Sequence, residues 1–490
     1  MANKVKITLL GGMEDVGGNI ILLEDEGYGV KIFLDFGVNM KKFNDYYKQG
    51  QKIESIDELI RLGLLPNEFY LPIDNLYTRL RPSLKNNDKF QDPPSNLDGI
   101  LISHPHKDHY LGLSFVNRTI PIYTGLVTKR IILAFNKTSK ISIDNYYNGL
   151  NWKTFRTGDL INIKGLKIVP YHVDHSIPAA YGFIIYSSSG PIVYTGDFRM
   201  HGPLSHMSKE FINEIKSHQI FISKGKPTDQ QLKQLSSHGI KLLIIEGTKI
   251  CKSTIESENL VEKNLLSLFE NNPFDYIIVK YDRIDWDRFR TISSIAKKYN
   301  WKFIIDEKDA YFYYLLNQDE IYETMKNPNI INDDHILIIK FGNARFKWQE
   351  EIRQALYTQD KGFRFIDYRQ IKDMKEKFFI YMNWLNENII KNLNPNSMGM
   401  FISSNLDPYA EEFFDNTDKF YNRFLELGIP TYKIHASGHA APHDIINFVK
   451  QVKPENLIPI HTSRKKFFKE LFKSSDIKIH LLDYNDSLEI

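Results

Sequence analysis

The chain has 490 residues, enough for about three units of ordinary size or two large ones. Its 42% hydrophobic, 25% charged and 13% aromatic residues exclude a disordered, collagen-like or coiled-coil protein. Lys plus Arg number 63 against 60 Asp plus Glu, so the net charge of +3 cannot by itself attract a polyanion, and the single Cys251 excludes both a disulfide framework and a thiolate metal site. The 15 histidines could supply a nitrogen and oxygen site instead. The N-terminus lacks the pattern of a secretory signal, and no apolar run approaches the ~18 residues of a spanning helix. The cytoplasm is therefore the expected compartment, without membrane association.

Strand signals at Val5 to Leu10, Asn19 to Leu23 and Lys31 to Asp35, separated by glycines, predict an antiparallel meander. A polar stretch at about 39–96, with one helix at Ile56 to Leu64, reads as an insertion serving as a lid or contact surface. Strands follow at Gly99 to Ser103, Lys167 to His172, Ala180 to Tyr186, Pro191 to Thr195 and Lys241 to Glu246, with a helix at Lys209 to His218. From about Ser253 helix and strand alternate as in a parallel-sheet domain: Leu260 to Glu270, Tyr276 to Lys280, Asp287 to Tyr299, Lys302 to Ile305 and Ile336 to Lys340. That pattern ends near Met400 to Ser404. After a helix around Pro408 to Leu427 come a strand at Tyr432 to His435, a helix at His443 to Val452, a strand at Leu457 to His461 and a basic helix.

The chemistry begins at Ser103-His104-Pro105-His106-Lys107-Asp108-His109, four candidate ligands in six residues at a strand end. There a turn can splay His104 and His106 toward one ion, Asp108 and His109 toward another. His175 and Asp197 follow later strands. Gly196 would let the backbone approach a metal closely. Taken singly, Asp197 reads as a turn carboxylate, Glu246 as a cap, His439 as a helix-entry residue and His461 as a buried histidine; their order along the chain is what joins them. Cys251 reads as a small core residue.

In that order His104, His106, Asp108, His109, His175 and Asp197 match the His-x-His-x-Asp-His, His, Asp pattern of the metallo-β-lactamase superfamily, which the sequence resembles over its first half. Leu243-Ile244-Ile245-Glu246-Gly247-Thr248 resembles motif A of the β-CASP nucleases, His435-Ala436-Ser437-Gly438-His439 their motif B, and Pro459-Ile460-His461 their motif C. The 22 residues from His439 to His461 are similar to the ribonuclease J interval.

The resemblance implies an α/β fold: a metallo-β-lactamase αββα sandwich at 1–253 and 406–490 with an inserted α/β β-CASP domain at 254–405. It implies two Zn²⁺ per chain, with Mn²⁺ or Mg²⁺ as alternatives, one held by His104, His106 and His175, the other by Asp108, His109 and His461, and Asp197 bridging. The expected activity is zinc-dependent hydrolysis of RNA phosphodiesters, exo- or endonucleolytic, by a metal-bridging hydroxide. His439, oriented by Glu246, would protonate the leaving oxygen, and Ser437, Gly438 and His435 would contact a phosphate. A histidine at motif C accompanies family members acting on RNA, so single-stranded RNA is the expected partner ahead of DNA. A DNA nuclease and a non-catalytic RNA-processing partner subunit are the alternatives, and homodimerisation stays open. The insertion, the end of the chain soon after motif C, and Phe341-Gly342-Asn343-Ala344-Arg345 and Ser403-Ser404-Asn405 in place of glycine-rich phosphate signatures depart from ribonuclease J. Two basic stretches, Arg464 to Lys469 and Lys280 to Arg283 with Arg288 and Arg290, are candidate RNA contacts or solvated surface.

Overall fold

The computed structural model describes residues 4–47, 55–78, 92–138, 147, 149–217, 239–251, 256–269, 274–318, 333–357, 364–383, 386–394, 396–404 and 417–490. Strands β1 (Val5–Gly11), β2 (Ile20–Asp25) and β3 (Val30–Phe36) form the expected antiparallel meander. β4 (Gly99–Ile102), β5 (Pro121–Gly125) and β6 (Asn151–Phe155) extend it in parallel. Period-two alternation sorts the side chains. Ile20 and Leu22 join one core while Ile21 and Leu23, on the opposite face, are equally buried.

The second sheet collects β7 (Ile161–Ile163), β8 (Leu166–Val173), β9 (Ala180–Ser187), β10 (Gly190–Tyr194) and β11 (Leu242–Glu246). Every residue of β9, β10 and β11 is buried, as for strands covered on both faces. Phe155 packs against Tyr181 and Phe183, and the Tyr194 hydroxyl donates to Asp35, so side chains of the two sheets meet face to face.

The stretch expected as an insertion at about 39–96 packs closely where it is described. Met40, Phe43, Tyr47, Leu59, Leu64, Leu65, Ile73, Leu76 and Tyr77 share one core with Phe33, Ile100 and Ile122 of the first sheet. Residues 48–54 and 79–91 lie outside the described part.

A second compact unit takes in Glu256–Pro408 and Phe413–Ser437, and the first resumes at Gly438. Its sheet is parallel throughout, in the order β15 (Phe365–Asp367), β14 (Ile336–Lys340), β13 (Lys302–Asp306), β16 (Phe378–Tyr381), β12 (Tyr276–Lys280), β17 (Gly399–Ser403), β18 (Thr431–Lys433). The expected boundary at 406 therefore moves. β18 pairs with β17, which keeps the chain in this sheet until motif B.

Back in the first unit, the helix Pro442–Val452 begins on a proline at its first turn and ends at Lys453 in the left-handed region. Its Ile445, Phe448, Val449 and Val452, spaced for one helix face, pack with Phe211 and Ile215 of the helix Ser205–Ser217 over Val169, Ile184 and Leu243. β19 (Asn456–Ile460) pairs in parallel with β11 and with β20 (Lys478–Ile479), and β21 (Ser487–Glu489) closes the edge beside β1. With helices over the second sheet and the described residues of 40–77 against the first, this unit has the expected αββα layering. Among the described residues no helix is long and apolar enough to cross a membrane.

Candidate metal centre

The topology places the candidate ligands at one edge. β8, β10, β11 and β19 run in the same direction, as do β3 and β4, so Asp174-His175, Asp197, Glu246, His461, Asp35 and Ser103-His104 all lie at or just past carboxyl ends of strands. Short connections at strand ends can turn polar side chains inward while the strands themselves stay apolar.

His104 Nε2 lies 3.0 Å from His106 Nδ1, which lies 3.1 Å from His175 Nε2. The three rings meet nearly at right angles, with interplanar angles of 85°, 79° and 82°. The other nitrogens are held. His104 Nδ1 donates to Ser103 Oγ at 3.0 Å, which donates to Asp35 Oδ2 at 2.7 Å, and His175 Nδ1 donates to the Gly438 carbonyl at 2.5 Å. Those bonds leave the Nε2 lone pairs of His104 and His175 facing the group. Burial pushes His104 and His175 well below the usual imidazole range and His106 down to about 3, so all three are neutral donors.

A second group adjoins the first. His461 Nε2 lies 3.0 Å from Asp108 Oδ2, and His109 Nε2 lies 3.6 Å from the same oxygen. Asp197 Oδ2 is within reach of both groups, at 3.7 Å from His104 Nε2, 3.2 Å from His109 Nε2 and 3.4 Å from His461 Nε2. Burial opposes charge on His109, but Asp197, Asp108 and Asp35 outweigh it and hold the imidazolium well above its ordinary value. Burial likewise opposes ionisation of Asp108 and Asp197, yet His109 and His461 keep both carboxyls below the usual range.

This donor set fits divalent cations. Three neutral nitrogens converge without protons to share between them, and Asp108 Oδ1 and Asp197 Oδ1 are buried without a hydrogen-bond partner among the described residues. Buried polar atoms left in that condition are costly unless something occupies the site.

The residues 75–231 match the model of a beta-lactamase superfamily domain, and 431–482 match that of a Zn-dependent metallo-hydrolase RNA specificity domain. The chain is 23% identical to ribonuclease J of Pyrococcus abyssi over 480 residues, covering 94% of this chain and 90% of that one. It is 22% identical to ribonuclease J 2 of Staphylococcus saprophyticus over 430 residues, and 24% identical to that of Staphylococcus aureus over 420. These matches cover 84% and 83% of this chain but 65% of each staphylococcal protein. Together these matches support a ribonuclease J-like β-CASP protein of the metallo-β-lactamase superfamily. A crystal structure of a protein of unknown function from Enterococcus faecalis V583 shares the fold, with a TM-score of 0.71 at 20% identity over 99% of this chain and 100% of that one. The two domain matches and the donor set together make this β-CASP protein a metal-binding one.

The three β-CASP motifs divide between the two units. Glu246 is fully buried. Its Oε2 lies 3.2 Å from His439 Nδ1 and accepts from the Thr248 amide, while Oε1 accepts from the amides of Phe198 and Ala440. The Gly438 carbonyl is committed to His175. His435 and Ser437 lie in the second unit. There His435 Nδ1 donates to the Ser404 carbonyl at 2.9 Å, the Ser437 amide donates to Glu256 at 2.9 Å, and burial beside Arg288 pushes His435 down to about 3.

Four supporting residues were given no role in the motif reading. Asp35 accepts from the Ser103 amide and hydroxyl, His109 Nδ1 and the Tyr194 hydroxyl. Like His461 it has a left-handed backbone, with φ of 56° against 53°, local strain of the kind that gathers at functional sites. Thr248 Oγ1 lies 2.8 Å from His461 Nδ1, 3.2 Å from His439 Nδ1 and 3.2 Å from the His461 carbonyl. A hydroxyl with two lone pairs and one proton satisfies all three only by accepting from both imidazoles and donating to the carbonyl, which fixes Nδ1–H on both. Asp174 and Arg199, both fully buried, join at 3.1 Å and tie the turn of His175 to that of Asp197. A signal for Arg199 was present, a charge two residues past the ligand Asp197.

One expectation gains a reason and another changes. A Cβ on Gly196 would stand 2.7 Å from the Tyr181 carbonyl and 3.0 Å from Ser103 Cβ, so its φ of 55° and lack of side chain serve packing of the two sheets. Cys251 is exposed, because the chain leaves the core in the turn after β11 and Ile250 takes the buried place.

Proposed function

We propose that this chain is a metal-dependent ribonuclease of the β-CASP type, hydrolysing phosphodiester bonds of single-stranded RNA, with two zinc ions per chain. The observation that carries this reading is the pair of donor groups at one sheet edge, neutral imidazoles in the first and imidazoles with ionised carboxylates in the second, with Asp197 within reach of both. The match over 431–482 to an RNA specificity domain and the ribonuclease J relatives favour RNA over DNA.

His104, His106 and His175 would hold one ion, and Asp108, His109 and His461 the other, with Asp197 shared. When bound, the ions supply positive charge for the phosphate oxygens and a water acidic enough to ionise near neutrality. The chain's own residues do the rest. Ser103, Gly438 and Thr248 each take an Nδ1 proton, of His104, His175 and His461 respectively, and so aim an Nε2 lone pair inward, while Asp35 takes that of His109, whose Nε2 would become a ligand once a bound cation displaces its second proton. Glu246 accepts from His439 Nδ1 and thereby leaves His439 Nε2 to carry the proton delivered to the departing 3′-oxygen. Ser437 remains the phosphate contact of this reading through its hydroxyl, whereas His435, a neutral imidazole whose one proton goes to the Ser404 carbonyl, has none to offer a phosphate oxygen. The compartment is the cytoplasm.

A second reading of His439 has an observation behind it: with Asp197 and His461 it forms a further group able to hold a metal. Metal content of His439→Ala separates the two roles, because an acid can be removed without loss of an ion. The reading as a whole is tested on 5′-monophosphorylated, 5′-triphosphorylated and circular RNA beside DNA of the same sequence. Cleavage of circular RNA demonstrates endonucleolysis, and cleavage of DNA alone would overturn the assignment.

A further inference from the structure

Just past motif C the chain presents a ridge that the metal centre does not use. His461 and Thr462 are buried, and from Ser463 the chain is largely exposed. In the short helix Lys466–Leu471 Phe468 is fully buried, in one core with Leu243 and Ile245, while its neighbour Phe467 is 45% exposed. A Cβ on Gly247 would stand 2.7 Å from the Phe468 ring, so only glycine between Glu246 and Thr248 lets the helix dock this closely. The ridge is thus pinned to motif A through Phe468 and to motif C through the chain. Arg464 is three residues from His461 and so at most ~10 Å from it along an extended backbone.

The ridge is also short of countercharge. Between Arg464 and Lys473 stand five cations, Arg464, Lys465, Lys466, Lys469 and Lys473, against Glu470 alone. Lys465 is tied to Asp483 and the Leu482 carbonyl, and Lys473 pairs with Glu470 at 3.8 Å. Arg464, Lys466 and Lys469 make no ion pair among the described residues, and all three are exposed. A merely solvated face would not need an aromatic ring held outward among its cations. Unneutralised cations with an outward ring are what a single strand of nucleic acid takes, phosphates on the former and a base on the latter.

We infer that Arg464, Lys466 and Lys469 bind the backbone of single-stranded RNA within a few nucleotides of the metal centre, and that Phe467 stacks on one of its bases. This inference rests on the ribonuclease reading and adds where the strand is held.

The test compares the parent with the triple variant Arg464→Gln, Lys466→Gln, Lys469→Gln and with Phe467→Ala, each checked for metal content and unfolding midpoint. The probe is a fluorescein-labelled, phosphorothioate-linked oligoadenylate, followed by fluorescence anisotropy across a salt series. The triple variant should bind about tenfold or more weakly at low salt, and the slope of log affinity against log salt should fall by about 2, at about 0.7 for each phosphate left unneutralised. Phe467→Ala should weaken binding about tenfold with the slope unchanged. Parent affinity and slope in all variants would overturn the ridge while leaving the ribonuclease reading intact. A parent that neither binds the probe nor cleaves RNA would overturn the ribonuclease reading first, and the ridge with it.

Discussion

Two buried polar clusters stand at carboxyl ends of parallel strands, one in each unit, and they are built in opposite ways. In the second unit Arg283, after β12, meets Asp306, at the end of β13, through paired contacts of 2.7 and 2.9 Å, and Asp309 at 3.0 Å. Its guanidinium also lies over the Tyr381 ring, 6.0 Å from the centroid. Burial opposes the charge on Asp306, but Arg283 outweighs it and holds the carboxyl far below the usual range. That cluster carries its own cation. In the first unit the imidazole lone pairs and carboxylates of His104, His106, His175, Asp108, His109, Asp197 and His461 converge with no arginine or lysine among them. A buried set held by a permanently charged guanidinium is structure; one whose internal cation is an imidazolium able to give up its proton is a receptacle for a metal.

That contrast can be broken in order of expected effect. Asp197→Asn takes charge from both donor groups at once, so RNA hydrolysis should fall by several kcal/mol of transition-state stabilisation, on the order of 10⁴-fold, with loss of bound metal. Full metal content with parent activity would remove Asp197 from the shared position. His439→Ala should lower the rate by about 10²- to 10⁴-fold while both ions stay, and Glu246→Gln should give a smaller loss of the same kind. Single-turnover kinetics beside elemental analysis of the same samples checks this.

Arg283→Met asks whether the other cluster is structural. Leaving the Asp306 carboxylate without its cation should cost about 3–5 kcal/mol in urea unfolding, with metal content unchanged. The pH dependence has a sign. Asp306 has a depressed folded pKa, so its stabilisation is present above the unfolded value of about 3.9 and is lost as pH falls through the folded one. The gap between parent and Arg283→Met should therefore narrow below about pH 4, and a gap constant down to pH 2 would contradict the pairing. Smallest of the set, Thr248→Val removes the acceptor shared by His439 and His461 and should weaken metal affinity or activity by about 10- to 100-fold. Thr248→Ser should restore most of it, and a silent valine would dismiss the tautomer argument.

What the sequence made legible follows the same divide. The ligands could be read because histidines crowd at one strand end and because apolar runs stop just before His175, Asp197 and His461. Asp35 escaped because it sits inside the run Ile32 to Phe36 and is marked only by its backbone conformation. Thr248 escaped because threonine at a turn has many ordinary uses, and only three distances single it out. The return to the first unit was placed too early because β18 has three residues and no buried one, too weak a pattern to assign to a sheet. β5, β6 and the helix Leu126–Thr138 were missed because the strands are short and half-exposed and the helix has mean hydropathy close to neutral. The stretch at about 39–96 read as a lid or contact surface because its apolar residues lack a period, although those in its described part suffice to share a core with Phe33 and Ile100.

The central claim is that the histidine and carboxylate cluster of the first unit holds two metal ions and that RNA hydrolysis depends on them. Elemental analysis of protein purified without added metal or chelator, followed by RNA hydrolysis assays before chelation, after it and after zinc restoration, tests that directly. Two equivalents per chain, with activity lost on chelation and regained with zinc, is the expected result. One equivalent or none, with full activity in chelator, would contradict it.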